Sequence, residues 1–214
     1  MTPTGEPPGR PAVSEFDGRA GSWDDAQKVE RARRVAEAIA RAVPLSPAMA
    51  VLEYGAGTGL LALALADRVG HVTLADSSTG MLEVARRKIE AGGIDNASTL
   101  LLDLSKDPLP AARFDLVCSL LTLHHVRDTD ALLRDFVKLL RAQGVVCLAD
   151  LDREDGSFHG EDADVHRGFD RSDLGARMER AGFRGVRFET ACVIRKGSRG
   201  VERSYPVFLA VASR

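Results

Sequence analysis

Residues 50–59 read Ala-Val-Leu-Glu-Tyr-Gly-Ala-Gly-Thr-Gly. The first positions are apolar and favour a short buried strand, and Glu53 near its end is followed by glycines at positions 55, 57 and 59. The apolar residues 60–69 then predict a helix that stops at Gly70. In α/β folds, a strand that leads through a glycine turn into a helix brings backbone N–H groups close to a nucleotide-like ligand. The pattern therefore predicts a ligand-binding loop at the carboxyl end of the first strand, where a side chain would block the ligand.

Two more acidic residues stand at the ends of predicted strands. Residues 71–75 form the second predicted strand, which ends at Asp76, and residues 79–91 form the helix after it. An acidic residue about twenty positions beyond the first glycine commonly accepts hydrogen bonds from ribose hydroxyls. The alternative is that Asp76 caps the helix, a role that the next two serines could equally fill. The third predicted strand, residues 98–102, ends at Asp103, so three acidic side chains are expected on one edge of the sheet.

The composition fits a single α/β domain. The chain has 214 residues, of which 44% are apolar, and this is enough to bury one substantial core. Its formal net charge is −2 and its basic residues are scattered, so neither nucleic acid nor an anionic membrane is an expected partner. The sequence shows no apolar stretch with the length of a signal peptide or a membrane helix, and we expect a cytoplasmic protein that is a monomer or a homodimer.

The three cysteines, Cys118, Cys147 and Cys192, each fall in an apolar segment that favours a strand. None belongs to a Cys-x-x-Cys pair or has the histidine spacing of a metal site. We therefore expect reduced thiols that pack in the core, and no bound metal.

Strands and helices alternate along the chain. A flexible tail is predicted for residues 1–13 and the folded domain for residues 14–214, starting with a helix from position 23 or 24 to Val43. Later strands are predicted at residues 114–119, 145–151, 186–194 and 206–212, and later helices at 130–140 and 172–181. The alternation favours a parallel, doubly wound sheet with helices on both faces. The loop between the last two strands is too short for a helical crossover, so they must pair as a hairpin that leaves one strand antiparallel.

The glycine spacing separates two families of cofactor-binding proteins. The dinucleotide fingerprint places two residues between its second and third glycines, whereas here Thr58 alone separates Gly57 from Gly59. An acidic residue followed by alternating glycines resembles the first motif of the class I, Rossmann-like methyltransferases, which use S-adenosylmethionine (SAM).

A second segment carries the same resemblance. Residues 16–24, Phe-Asp-Gly-Arg-Ala-Gly-Ser-Trp-Asp, are similar to a segment that precedes the core in many small bacterial methyltransferases and closes over the cofactor as a lid. The resemblance covers residues 14–213 and assigns residues 14–43 to this lid segment and the helix after it. It implies one domain with a seven-stranded, mostly parallel sheet whose last strand is reversed.

The resemblance also implies which residues bind the cofactor. Asp76 binds the ribose, Met81 rests against the adenine ring, and Asp103 with the backbone N–H of Leu104 binds the adenine edge; a methionine in a helix is equally expected in the core. The complete set implied for SAM and its product S-adenosylhomocysteine (SAH) is Glu53, Gly55, Ala56, Gly57, Asp76, Ser77, Met81, Asp103, Leu104 and Ser119.

The expected catalytic residues are His124 and His125. They follow the fourth predicted strand, in a loop that faces the methyl group in class I folds. The methyl group of SAM is already activated, so neither a metal nor a nucleophile is obligatory, but an imidazole could accept the proton of an acceptor hydroxyl. The alternative is that one imidazole only bonds the backbone and starts the next helix.

Four further residues are candidates for supporting this chemistry. Asp150 and Asp152, at the end of the fifth predicted strand, could orient a histidine through its second ring nitrogen. His159 and His166 fall in residues 152–171, a polar insertion that is expected to shape the acceptor pocket.

One absent motif narrows the acceptor. Methyltransferases that modify the amino groups of nucleobases or glutamine carry Asn or Asp, then Pro-Pro and an aromatic residue, after the fourth strand, and residues 119–122 here are Ser-Leu-Leu-Thr. We therefore expect a small-molecule acceptor, with oxygen favoured over nitrogen, sulfur or carbon. Two alternatives stay open: a catalytically silent SAM-binding protein, and an NAD-dependent oxidoreductase, which would leave Asp103 and the lid segment unexplained.

Overall fold

Seven strands form one mixed sheet in the computed structural model, which describes residues 13–160, 163–198 and 201–214. They are β1 (Ala50–Tyr54), β2 (His71–Asp76), β3 (Ala97–Leu101), β4 (Phe114–Leu120), β5 (Leu140–Leu151), β6 (Arg184–Ser198) and β7 (Val201–Ser213). Their order in the sheet is β3-β2-β1-β4-β5-β7-β6. Strands β1 to β5 are parallel, and β7 is antiparallel to both of its neighbours. The predicted doubly wound sheet with a reversed last strand is confirmed.

Helices cover both faces of this sheet. They are α1 (Val13–Arg19), α2 (Ala26–Ala42), α3 (Leu60–Leu65), α4 (Thr79–Gly92), α5 (Thr129–Leu139) and α6 (Arg171–Ala181). Helices α2, α3 and α4 pack in one core and α5 and α6 in the other. Strand β4 serves both, since Leu116 and Cys118 face the first core and Val117 the second, as the two-residue period of a strand requires. Among the described residues, no helix is both long and apolar enough to cross a membrane.

The cysteines take the places that the sequence indicated. Cys118, Cys147 and Cys192 are buried free thiols on three different strands. Burial raises the pKa of Cys147 to about 12, so this thiol is inert at neutral pH.

The N-terminal elements differ most from the prediction. The helix expected from position 23 or 24 begins at Ala26, because the side chain of Asp25 caps it by accepting a hydrogen bond from the Lys28 N–H at 2.8 Å. Helix α1 and a short 3-10 turn, Ala20–Ser22, precede it and were not predicted, since a seven-residue helix is too short to show a clear period. The predicted flexible tail lies outside the described residues, except for Val13, where α1 begins.

The strands at one edge of the sheet are longer than predicted. Strands β6 and β7 pair with each other from Arg184 to Ser198, whereas β5 pairs only with residues 207–213 of β7. The outer part of this hairpin is polar and is held by backbone hydrogen bonds, so it has no apolar pattern to reveal it. Strand β5 likewise begins at Leu140, which pairs with Phe114 before the register shifts.

Candidate active site

A cavity of about 1330 Å³ opens at the carboxyl ends of β1, β2 and β4. Small-molecule sites usually measure about 300–1,000 Å³, so this one has room for a nucleotide-like cofactor and a second molecule. One part of its wall comes from the glycine loop, Asp76 and residues 102–106. Another part comes from His124, His125 and His159, and residues 15–32 contribute a third side.

The three glycines of the loop have different roles. All have positive φ angles, but a Cβ added at Gly55 would lie 2.3 Å from the Thr122 side chain, and one at Gly59 would lie 2.4 Å from Leu74. These two glycines are required by packing. A Cβ at Gly57 would meet only Trp23 Nε1, at 3.9 Å, so a side chain there would project into the cavity. Gly57 is therefore the glycine that keeps the cavity open to a ligand.

Asp76 holds the glycine loop in place. Its Oδ2 accepts a hydrogen bond from the Gly57 N–H at 2.7 Å, and its Oδ1 accepts one from the Ser78 N–H at 2.8 Å. Burial raises the pKa of this carboxyl. The cap of α4 is Ser78, whose Oγ accepts from the Met81 N–H at 3.1 Å, so Asp76 is not the helix cap. Asp76 also lines the cavity, and a carboxylate is an acceptor that suits ribose hydroxyls.

Glu53 connects β1 to α3. Its side chain is buried, with 2% exposed, and accepts a hydrogen bond from the Ala62 N–H at 2.8 Å. Burial raises the pKa of Glu53 to about 8, against the opposing effect of the Ala62 N–H, which favours the charged form. Glu53 lines the cavity, but its side chain accepts its hydrogen bond from the protein's own Ala62 N–H.

This raised pKa predicts how stability changes with pH. Because the folded-state pKa of Glu53 lies above its usual value of 4.5, the folded chain binds this proton more tightly than the unfolded chain. The stability that this proton gives to the folded chain is complete below about pH 4.5 and is lost as the pH rises towards 8. We expect Glu53→Gln to remove this loss while keeping an oxygen for Ala62, so that urea unfolding at pH 8.5 shows a more stable variant than the parent. If the difference in unfolding free energy between parent and variant is the same at pH 5 and pH 8.5, the pKa of Glu53 is not raised.

The residues implied for adenine binding are partly engaged by other protein groups. Asp103 forms an ion pair with Lys106 at 2.7 Å, and the Leu104 N–H donates to Tyr54 Oη at 3.3 Å. Met81 is buried. It lies on the cavity wall, and Ala56 and Ser77 also line the cavity. Ser119 is an exception: it does not line the cavity, because its buried hydroxyl donates to the Tyr54 carbonyl between β4 and β1 at 2.9 Å. The structure therefore separates Ser119 from the other residues of the set.

The lid segment is hydrogen-bonded to the core at two points, the start of α4 and the glycine loop. Asp17 accepts hydrogen bonds at the start of α4, from Ser78 Oγ at 2.6 Å and the Gly80 N–H at 2.8 Å. Asp24 accepts one from Thr58 Oγ1 at 2.5 Å and pairs with Lys88. These contacts place the Trp23 ring on the cavity wall beside Gly57.

The lid segment also reaches the histidines. The ring centroid of Phe16 lies 5.9 Å from that of Trp23 and 5.8 Å from that of His125, in edge-on geometry at both contacts. Phe16 thus connects the wall beside the glycine loop with the wall formed by the histidines.

Three histidines form a cluster, which comprises His124, His125 and His159. His124 Nε2 lies 3.0 Å from His159 Nε2, and the His125 ring centroid lies 4.1 Å from that of His124. On the other side of the ring, His124 Nδ1 lies 2.7 Å from Asp150 Oδ1, and both side chains are buried. A carboxylate at Nδ1 fixes the proton there, which leaves Nε2 as the nitrogen with a lone pair. His159 therefore donates its Nε2 proton to His124 in this arrangement.

The four supporting candidates divide into two pairs. Asp150 contacts His124, whereas Asp152 forms two hydrogen bonds of 2.7 Å with Arg171. His159 joins the cluster, whereas His166 bonds the Val126 carbonyl at 2.9 Å and does not line the cavity.

The position of His159 depends on how its loop folds. Glu154 accepts hydrogen bonds from the N–H groups of Gly156 and Phe158, at 2.8 and 3.0 Å, and this turn carries His159 back to the cavity. Partial burial of the ring, with smaller effects from His124 and Lys196, lowers the pKa of His159 to about 4, so its imidazole is neutral at neutral pH.

Comparison with known proteins finds methyltransferases. The sequence profile of a methyltransferase domain matches residues 51–144. The chain is 32% identical to a malonyl-[acyl-carrier protein] O-methyltransferase of Serratia marcescens over 71% of its own length and 57% of the relative's. It is 34% identical to the ubiquinone/menaquinone biosynthesis C-methyltransferase UbiE of Shewanella woodyi, over 46% of its own length and 41% of the relative's. The chain therefore spans about half the length of the curated relatives that it matches.

A solved structure shares the fold across nearly the whole chain. A SAM-dependent methyltransferase from Aquifex aeolicus superposes with a TM-score of 0.68 at 20% identity and covers 92% of this chain and 97% of its own. Together with the matched domain profile, the glycine loop and the sheet with one reversed strand, this likeness removes the oxidoreductase alternative. Residues 51–144 therefore match the methyltransferase-domain family, and the chain has the fold of the class I SAM-dependent methyltransferases.

Proposed function

We propose that this protein transfers the methyl group of SAM to a hydroxyl oxygen of a small molecule bound beside the histidine cluster. The observation that carries the proposal is that one cavity has both Gly57 with Asp76 and the cluster on its walls. The cofactor and an acceptor would therefore occupy the same enclosed space.

The glycine side of the cavity fits a nucleoside. Gly57 leaves open the space that a Cβ would fill, and Asp76 presents a half-buried carboxylate beside it. Asp76 would bind the ribose hydroxyls, and Met81 would provide an apolar surface for the base. SAM supplies, when bound, a methyl group on a positively charged sulfur that needs no further activation. The task left to the protein is to align an acceptor, and proximity and orientation can contribute roughly 7–11 kcal/mol to lowering the barrier.

The histidine side of the cavity suits an acceptor that must lose a proton. Asp150 orients His124 so that its Nε2 lone pair points away from the carboxylate, and His125 lies beside it on the cavity wall. We assign the role of general base to His125, or to His124 if the acceptor displaces His159 from its Nε2, a contribution worth about 10²–10⁴ in rate. The lid segment closes the space and would keep water from competing with the acceptor.

The choice of oxygen has two supports. Methylation at carbon or nitrogen of an already nucleophilic acceptor needs no nearby base, whereas a hydroxyl benefits from one. The O-methyltransferase of Serratia marcescens is similar to this chain over 152 residues. Incubating the protein with SAM and a library of phenols, hydroxy acids and carboxylic acids, and measuring SAH release, tests the proposal. Binding of SAM without SAH release from any acceptor would instead support the catalytically silent alternative.

Asp76→Ala is expected to weaken SAH binding by about 10- to 100-fold in a calorimetric titration, because a hydrogen bond to a charged group contributes about 1.5–3 kcal/mol. Asp67→Ala is the matched control, since it removes an acidic side chain that is 80% exposed on the turn after α3. The control should bind SAH as the parent does. Equal affinities in all three proteins would remove Asp76 from the ribose role.

A further inference from the structure

The histidine cluster contains more imidazoles than proton transfer requires. One nitrogen of each imidazole, in His124, His125 and His159, lies within 4.8 Å of the corresponding nitrogens of the other two. The ring centroid of His159 lies 4.9 Å from that of His124 and 5.3 Å from that of His125. A single base would need one imidazole, whereas here three converge from two separate chain segments.

Asp150 is placed to support His124 as a ligand. One Asp150 oxygen contacts His124 Nδ1 and accepts from the Leu151 N–H at 2.7 Å, and the other lies 3.3 Å from the His124 backbone nitrogen. A carboxylate on one nitrogen of a histidine fixes the ring and makes the other nitrogen a better metal ligand, as is usual for histidines that bind metals. Asp150 is thus an orienting group behind the cluster and leaves the three nitrogens as the donor set.

The donor set indicates the class of ion. Three neutral imidazoles suit first-row transition metals such as Zn²⁺, Co²⁺, Ni²⁺ and Cu²⁺, whereas Mg²⁺ and Ca²⁺ prefer oxygen ligands. Three protein ligands with a remaining open position are typical of catalytic rather than structural zinc sites. The cluster lies on the wall of the cavity, so the open position would face the space proposed for the acceptor.

We propose that His124, His125 and His159 bind one divalent transition-metal ion, with Zn²⁺ as the best match. A tetrahedral ion with bonds of about 2.0–2.1 Å holds its ligand nitrogens about 3.3 Å apart. The pair His124 and His159, at 3.0 Å, is already close to that spacing. His125 and His159 reach it by rotation of their rings, and the exposed position of His159 on its loop leaves space for that movement. The sequence predicted no bound metal because the cysteines lack the spacing of a metal site. That prediction did not include these three histidines.

A bound ion would change how the acceptor hydroxyl is activated. This activation rests on the proposed function, whereas metal binding does not. An acceptor hydroxyl that coordinates the ion has a lowered pKa, releases its proton to water, and then attacks the methyl carbon as SAH leaves. With the ion bound, the imidazoles hold the ion and water takes the proton; in the metal-free protein His124 and His125 stay the candidate bases. The acceptors selected would be hydroxyl compounds whose oxygen can reach the ion, such as phenols, enols and hydroxy acids.

The first experiment measures metal binding without any turnover. Full-length protein without a histidine tag is stripped with a chelator, titrated with Co²⁺ and followed by its visible absorption, with metal content measured by mass spectrometry. We expect one Co²⁺ per chain, displaced by Zn²⁺. His125→Ala and His159→Ala should each weaken Co²⁺ binding at least about 100-fold, and Asp150→Asn about 10- to 100-fold, the range for lost outer-shell partners. His71→Ala is the matched control, since His71 lies on β2 and bonds Ser98.

SAH affinity shows in each variant whether the protein is still folded. If His125→Ala and His159→Ala bind SAH and Co²⁺ as the parent does, or if the parent itself binds no Co²⁺, the metal site is wrong. SAH release by chelated, metal-free protein at the full rate would leave methyl transfer standing and overturn the role of the ion. A Co²⁺ site without SAH release from any acceptor would have the opposite meaning: the site stands and the proposed function fails.

Discussion

Gly57→Val is expected to weaken SAH binding on the order of 100-fold, because forcing extra carbon atoms into occupied space typically costs 1–3 kcal/mol. The added side chain would project into the cavity towards Trp23, where the structure leaves no other neighbour within 4 Å. Isothermal calorimetry with SAH measures the change directly. If the folded variant binds SAH as the parent does, the cofactor does not lie against this loop.

The control must separate a blocked site from a strained backbone. Gly57 has a φ of +54° and Gly93, which ends α4, has a φ of +58°, so valine is similarly strained at both positions. A Cβ at Gly93 would meet nothing within 4 Å. We expect Gly93→Val to lose a similar free energy of unfolding, about 1–3 kcal/mol, and to keep its SAH affinity.

Replacing a histidine of the cluster should affect turnover and leave SAH binding intact. His125→Ala is expected to lower kcat on the order of 10²-fold or more, as expected when a group acting on the acceptor proton is removed. His124→Asn should do the same, and we prefer it to alanine because the amide keeps a donor for the buried Asp150. The measurement is SAH release with an acceptor from the library, alongside calorimetry with SAH.

His166→Ala is the comparison for these variants. His166 is also a histidine of residues 152–171, but its ring bonds the Val126 carbonyl and does not line the cavity. It should keep most of the parent's turnover. If kcat stays at the parent's value in both cluster variants, the acceptor needs only positioning, and neither residue is a base or a ligand.

The fold and the cofactor loop could be predicted because they depend on local patterns. The apolar run before Glu53, the glycine spacing and the acidic end of β2 each follow from the geometry of a strand, a turn and a helix. The parallel pairing then follows from the alternation of strands and helices, and the reversed strand from a loop too short to cross over. The separate roles of the glycines were not accessible, since Gly55 and Gly59 are fixed by Thr122 and Leu74, which are distant in sequence.

The active-site details depend on contacts that no local pattern records. His159 and His166 are indistinguishable in sequence, and the difference arises from the turn that Glu154 holds. Ser119 belongs to the cofactor set that the resemblance implies, but the alternation along β4 directs its hydroxyl to Tyr54. The three-histidine cluster forms only when residues 34 positions apart, His125 and His159, are brought together by the tertiary fold.

The lid segment has a kinetic consequence. Asp17 holds it at the start of α4, and Asp24 holds it at Thr58 of the glycine loop. If SAH lies between that loop and Trp23, as we propose, we expect it to leave only after these contacts break. The rate of SAH release would then be limited by how often the N-terminal segment opens, and this opening would set kcat wherever methyl transfer is faster. The same two aspartates would also limit how fast the next SAM enters.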